Sequence, residues 1–242
     1  MKHIFLPFTP DESILSAGQI DIWQYPLDMD FKSARSLLSL EEQKRANNYH
    51  FAHHRERFAQ ARAMLRLILS KYTHIHPKKI SWTENKYGKP QLYPCSALHF
   101  NLSHSKNMAM LAIGKHHPLG VDVEFLADRA FDGIANIMFS AQEQRSLNAT
   151  HASTKPLAFY NIWAQKEAFI KACGLGLQYP TQSFNVPVLP THTHVVTDKQ
   201  TNTDWHMTTF MPHVGCCAAV CYHPSVMNIR YLAIEDPYRM GL

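Results

Sequence analysis

The sequence predicts an α+β fold built as two similar halves in one chain. The order of a helix followed by strands occurs twice, and the loop KHHPLG, around residues 115–119, stands between the two occurrences. No low-complexity segment or clear repeat interrupts the 242 residues, and no apolar run approaches the length of a membrane span. The expected division is an N-terminal subdomain over residues 1–117 and a C-terminal one over 118–242.

The first half opens on the strand-like HIFLPF and QIDIWQY. Ser39 then precedes LEEQKRANNY, where its hydroxyl can accept an early amide and Glu41 and Glu42 suit the positive end of a helix. A longer helix is expected over residues 55–72, because Phe58, Ala61, Leu65, Ile68, Leu69 and Tyr72 keep helical spacing and make one apolar side. Strands follow at ISWTE, LHFNLS and MAMLAIG, with a turn at NKYGKP.

GVDVEF opens the second half. Ser140 and Glu143 in FSAQEQ have capping-box spacing. A major helix over residues 156–173 starts at Pro156, carries Phe159, Ile162, Trp163, Phe169 and Ile170, and can end at Gly174. SFNVPV, THVV, WHMTTFM, VGCCAAVCY and IRYLAI complete the half as expected strands.

Composition narrows the functional classes. A charge of +5 with 16 histidines suits an anionic ligand or an acidic partner. Finger spacing, RNP-like aromatic strands and long basic runs are all missing, so nucleic acid is not an expected partner. The five cysteines show neither zinc-site nor disulfide spacing and read as reduced thiols. The opening MKHIFLPFTPDES lacks a signal-peptide layout, and the expected location is cytoplasmic, with no membrane association. His74/His76 and His192/His194 lack a third ligand in register and read as surface residues.

Four groups of residues carry possible chemistry. In GVDVEF, strand alternation sends Val121, Val123 and Phe125 to one side and Asp122 and Glu124 to the other. That pattern suits either a solvated strand face or a hard-cation site. In WAQKEAFIK, Glu167 and Lys171 share one helix face, as a surface ion pair or at a cleft. FNLSHS holds Ser103 and His104 as neighbours on a strand, pointing to opposite faces and so poorly placed for a hydrolase dyad. With Ser105 they serve better as donors to an anion. In KYGKP, Lys86 and Lys89 flank Gly88 in a turn that is either plainly solvated or aimed at phosphate.

Taken in order, KYGKP, FNLSHS, GVDVE, FSAQE and FYNIWAQKEAFIKACGLGL resemble the Sfp-type 4′-phosphopantetheinyl transferases. The similarity extends over residues 40–187, and the pairing of GVDVE with WAQKEAFIK is its specific part. The resemblance implies a pseudo-twofold fold, expected as a monomer, with coenzyme A between the halves. It implies transfer of the 4′-phosphopantetheine arm to a serine of an apo acyl, peptidyl or aryl carrier protein, releasing adenosine 3′,5′-bisphosphate, with magnesium. By the same resemblance Asp122, Glu124 and Glu167 would be metal ligands, Lys171 would steady the pyrophosphate, and Glu167 is a candidate to take the serine proton. Ser103, His104 and Lys89 would contact phosphates of coenzyme A, and Arg45, Arg57 and Arg62 would face its nucleotide and 3′-phosphate.

Ala164 and Leu175 depart from the family pattern, the second at the turn where the carrier docks. The rival functions are another magnesium-dependent phosphoryl transferase or phosphohydrolase and a non-catalytic binder of coenzyme A or carrier protein. The first would not predict KYGKP with FNLSHS, and the second would be favoured by a lost ligand acid.

Overall fold

The computed structural model describes residues 5–7, 15–29, 31–128 and 130–240. The first half comprises β1 (Leu6–Pro7), β2 (Gln19–Pro26), α1 (Ala34–Leu37), α2 (Leu40–Asn47), α3 (Ala52–Thr73), β3 (Ser81–Glu84), β4 (Pro90–Tyr93), β5 (Leu98–Ser105) and β6 (Met108–Lys115). After them come β7 (Gly120–Phe125), α4 (Asp132–Met138), α5 (Ala141–Ala149), α6 (Lys155–Cys173), β8 (Thr193–Asp198), β9 (Thr203–Phe210), β10 (Cys216–Tyr222) and β11 (Asn228–Ala233). Of HIFLPF, Leu6 and Pro7 lie in β1, while His3 and Ile4 lie outside the described residues.

Two sheets and two long helices form four layers. One sheet has the order β1-β11-β2-β6-β5, the other β7-β10-β9-β8, and β3 and β4 make a separate hairpin. Alternation along the central strands explains the layering. On β6, Ala109, Leu111 and Ile113 join a core with Met64, Leu65 and Ile68 of α3, while Met108, Met110 and Ala112 face the other sheet. On β10, Cys217, Ala219 and Cys221 join a core with α6, while Cys216, Ala218 and Val220 face the first sheet. Strands buried on both faces read as continuous apolar runs, which accounts for MAMLAIG and VGCCAAVCY. Cys216, Cys217 and Cys221 are free and buried.

Both capping boxes form. Ser39 accepts from Glu42 N and Ser140 from Glu143 N, with the glutamates reaching back to the serine amides. Helix α3 begins three residues before its expected start, at Ala52. The expected strand SFNVPV is not one. Residues 181–183 form a 3-10 turn, and the segment beyond is bonded by side chains instead of a ladder. Phe184 O accepts from Lys166, Pro187 O from Asn161 and Gln165, and Val186 N donates to Glu143. Pro187 has no amide to give to a sheet, and polar side chains of α6 satisfy the carbonyls.

Strand β11 was expected beside the other strands of the second half. It lies between β1 and β2 in the first sheet, parallel to both. Arg230 fixes it there, donating to both oxygens of the fully buried Asp21 at 3.0 and 2.7 Å.

Candidate active site

The site lies where the free edges of the two sheets meet. Edge strands β5 and β7 run side by side, and side chains on β5 take the place of a backbone ladder. Asn101 Oδ1 accepts from Val121 N at 2.8 Å, and Ser105 Oγ accepts from Phe125 N at 3.2 Å. On its other side β7 presses against α6. A Cβ on Gly120 would lie 2.1 Å from Ala168 O and 2.4 Å from Ala172 N, so this approach requires glycine.

That packing decides which way the acids face. Val121 and Val123 enter the core between the sheets, and Asp122 and Glu124 turn toward α6. Asp122 Oδ1 accepts from Lys171 Nζ at 2.5 Å and from Ser103 Oγ at 2.8 Å. Its other oxygen, Oδ2, is buried with no hydrogen-bond partner. Glu124 is held at both ends, Oε1 by Trp163 Nε1 at 3.1 Å and Oε2 by Ser105 Oγ at 3.0 Å.

Three carboxylates in one partly dry region repel one another. Burial first, and then the charge of Asp122, raises the pKa of Glu124. Burial pushes Glu167 up to about 7, with Asp122 and Glu124 adding to the shift and Lys171 opposing it. Glu167 and Lys171 sit at successive turns of α6, so the helix presents an acid and a cation together to β7.

Beside the acids a cavity of about 310 Å³ opens between the halves, lined among others by Arg45, Phe58, Arg62, Lys89, His104 and Lys171. Arg62 stacks over Phe58 and Trp82, at 5.5 and 5.4 Å, and lies 4.0 Å from Glu42. Arg45 covers the same Phe58 ring at 5.4 Å. Burial and the neighbouring Lys171 lower the pKa of His104, which favours its neutral form. The cavity is cationic along walls supplied by both halves, as an anionic ligand requires.

Two family models match consecutive stretches of the chain. One is described as 4′-phosphopantetheinyl transferase, N-terminal, over residues 22–116, and the other as 4′-phosphopantetheinyl transferase superfamily, over 118–221. The 4′-phosphopantetheinyl transferase HetI of Nostoc sp. is 32% identical over 227 residues, covering 91% of this chain and 94% of the relative. The chain belongs to the 4′-phosphopantetheinyl transferase family. The 4′-phosphopantetheinyl transferase Sfp of Bacillus subtilis is 29% identical over 151 residues, 62% of this transferase and 66% of the relative.

The residues expected from sequence fall into three groups. Asp122, Glu124, Glu167, Lys171 and Ser103 form one electrostatic cluster, with Ser103 bonded to Asp122 and Lys171. Arg45, Arg62, Lys89 and His104 line the adjoining cavity, where His104 points away from its neighbour Ser103. Arg57 is half-buried on α3 and is not among the lining residues. The Lys89 ammonium is bonded to backbone carbonyls of Leu119, Lys171 and Ala172.

Asn101 and Trp163 escaped the sequence reading as site residues, and Ser105, expected as a donor to an anionic ligand, donates to Glu124 instead. Their signal was a polar row at alternate positions of LHFNLSHS and one indole beside the acids; Trp163 read simply as core. Among the described residues, no three His, Cys, Asp or Glu side chains converge as a ready metal cage. Magnesium does not require one, since it keeps waters and substrate phosphates beside one or two carboxylates. The donor set fits that cation: hard oxygens, an unpartnered buried Asp122 Oδ2, and two neighbours whose mutual repulsion a divalent charge would relieve.

Proposed function

We propose that this transferase moves the 4′-phosphopantetheine arm of coenzyme A to a serine hydroxyl of an acyl or peptidyl carrier protein, with magnesium held by Asp122, Glu124 and Glu167. Transfer of the phosphopantetheine group to carrier proteins, from coenzyme A, is the activity of its family. The observation that carries the magnesium assignment is the unpaired Asp122 Oδ2 beside the Lys171 ammonium, with two raised carboxyls next to it.

The chemistry replaces a phosphoanhydride bond with a phosphate ester. The serine oxygen bonds to the phosphorus that carries the pantetheine arm, the pyrophosphate bridge breaks, and adenosine 3′,5′-bisphosphate leaves with the bridging electron pair. When bound, magnesium would neutralise charge on the pyrophosphate oxygens. Lys171 keeps its ammonium at the cavity wall, where it can meet the charge of the departing bisphosphate. Glu167 would accept the serine proton directly or through a water it orients; holding magnesium makes its carboxylate a weaker base than in the metal-free protein. Arg45, Arg62 and the neutral His104 would grip the nucleotide end, and Arg62 is braced for this by two rings and Glu42.

Leu175 turns its side chain toward the core of the second half and Ala164 is buried in it, so neither departure from the family pattern touches the acids. The 1–117 and 118–242 halves would act as a nucleotide side and a metal side within a cytoplasmic monomer. Among the described residues, no helix is long and apolar enough to cross a membrane.

The decisive assay weighs an apo carrier protein by mass spectrometry after incubation with the transferase, coenzyme A and magnesium. One phosphopantetheine mass should be added, and Glu124→Ala should abolish the gain. No gain on any of several carriers would sink the proposal.

A further inference from the structure

Helix α6 ends against a turn that belongs to the other half of the molecule. The last carbonyls of a helix lack partners within it and carry the negative end of its dipole. Here two side chains of the turn at residues 85–89 take them. Lys89 Nζ donates to Lys171 O at 2.7 Å, to Ala172 O at 2.8 Å and to Leu119 O at 3.1 Å. Asn85 Nδ2 donates to Gly174 O at 2.8 Å.

The turn is built for this reach. Asn85 Oδ1 accepts from the amides of Tyr87 and Lys89, both at 2.9 Å, so one side chain shapes the turn and ties it to α6. Gly174 ends the helix in the left-handed region at φ 72°, and a Cβ there would lie 2.9 Å from Lys89 Cδ. An ammonium has three N–H donors, and three carbonyls use all of them. A phosphate could take one only by displacing a carbonyl.

We propose that Lys89 and Asn85 are positioning residues, a clasp thrown from the first half over the end of α6 that holds Lys171 against Asp122, and that Lys89 is not a ligand of substrate phosphate. The carbonyl of Lys171 is itself one of those held, so the clasp fixes the backbone of the residue whose ammonium faces the cavity. Burial pulls the pKa of Lys89 down to about 8, which still leaves the ammonium charged at neutral pH. Only the kinetic consequence of the clasp rests on the transferase reading; its mechanical consequence does not.

Lys89→Met keeps the aliphatic stem and removes the ammonium. Asn85→Ala removes the bond to Gly174 O together with the two that shape the turn, leaves the Lys89 ammonium in place, and serves should the first variant not fold. In ligand-free protein, amide exchange over residues 170–176 should quicken about tenfold in either variant, with α3 unchanged. In the transfer reaction kcat should fall about tenfold, while the Kd for coenzyme A, measured by calorimetry, stays within about twofold. Unchanged exchange at 170–176 overturns the clasp, as does coenzyme A binding about tenfold or more weakly to Lys89→Met. Faster exchange in the variants of a protein with no transfer activity would sink the transferase reading and support the clasp.

Discussion

Two lysines of helix α6, Lys166 and Lys171, each bind a carboxylate on another element. Lys166 is fully buried and its ammonium is spent: Glu143 Oε2 at 2.9 Å, Thr181 O at 2.7 Å and Phe184 O at 2.6 Å use its three donors. Glu143 is equally occupied, by Ser140 N and Val186 N as well as by the lysine. Lys171 keeps 26% of its side chain exposed at the cavity, and its partner Asp122 retains an unpaired oxygen. Burial alone would single out the first pair. Saturation separates them: the closed pair ties the irregular segment after α6 to the helix, and the open pair has charge and lone pairs left for a ligand.

Breaking each pair should therefore fail differently. Lys166→Met leaves Glu143 buried without its cation and should cost about 3–5 kcal/mol of stability in urea unfolding, with kcat of the folded protein near that of wild type. Lys171→Met should lower kcat by roughly 10²–10³-fold, in the range seen when a group that stabilises transition-state charge is removed, and, because Ser103 and nearby solvent still attend Asp122, lower the urea midpoint by less than Lys166→Met does.

The acids sharpen the same contrast through pH. The carboxyl of Glu167 titrates at about 7 in the fold, above its ordinary value of 4.5, so its contribution to stability is full below 4.5 and is lost as pH rises through about 7. Without divalent cations the melting temperature should fall across that window, and Glu167→Gln should flatten the fall. Magnesium should raise the melting temperature more on the alkaline side of the window than on the acid side. The smallest effect belongs to Ser105→Ala, which leaves Glu124 held by Trp163 alone. It should cost roughly 1 kcal/mol, read as an about fivefold increase in the magnesium concentration for half-maximal rate.

Much of this was legible because it was local. Capping boxes need residues three apart, the α6 pattern needs one helix, and the alternation of GVDVEF needs one strand. What was missed needed two elements at once. Ser105 reads only as one more donor to an anion until β5 and β7 meet edge to edge, and Lys89 reads as a loose cation until α6 ends beside it. SFNVPV has the composition of a strand, and only the polar side chains of α6, inward-facing on a helix otherwise rich in apolar residues, reveal how its backbone is satisfied. The crossing of β11 into the first sheet depends on the long-range pair of Arg230 with Asp21, whose sequence separation leaves no local trace.

The central claim is that Asp122, Glu124 and Glu167 form one cation site on the open side of α6. Manganese, titrated into the protein with coenzyme A and followed by its electron paramagnetic resonance signal, tests it most directly. The account predicts protein-bound manganese in the wild type and its loss in Asp122→Asn and in Glu124→Gln. No bound manganese in the wild type, or undiminished binding in Asp122→Asn, would contradict it.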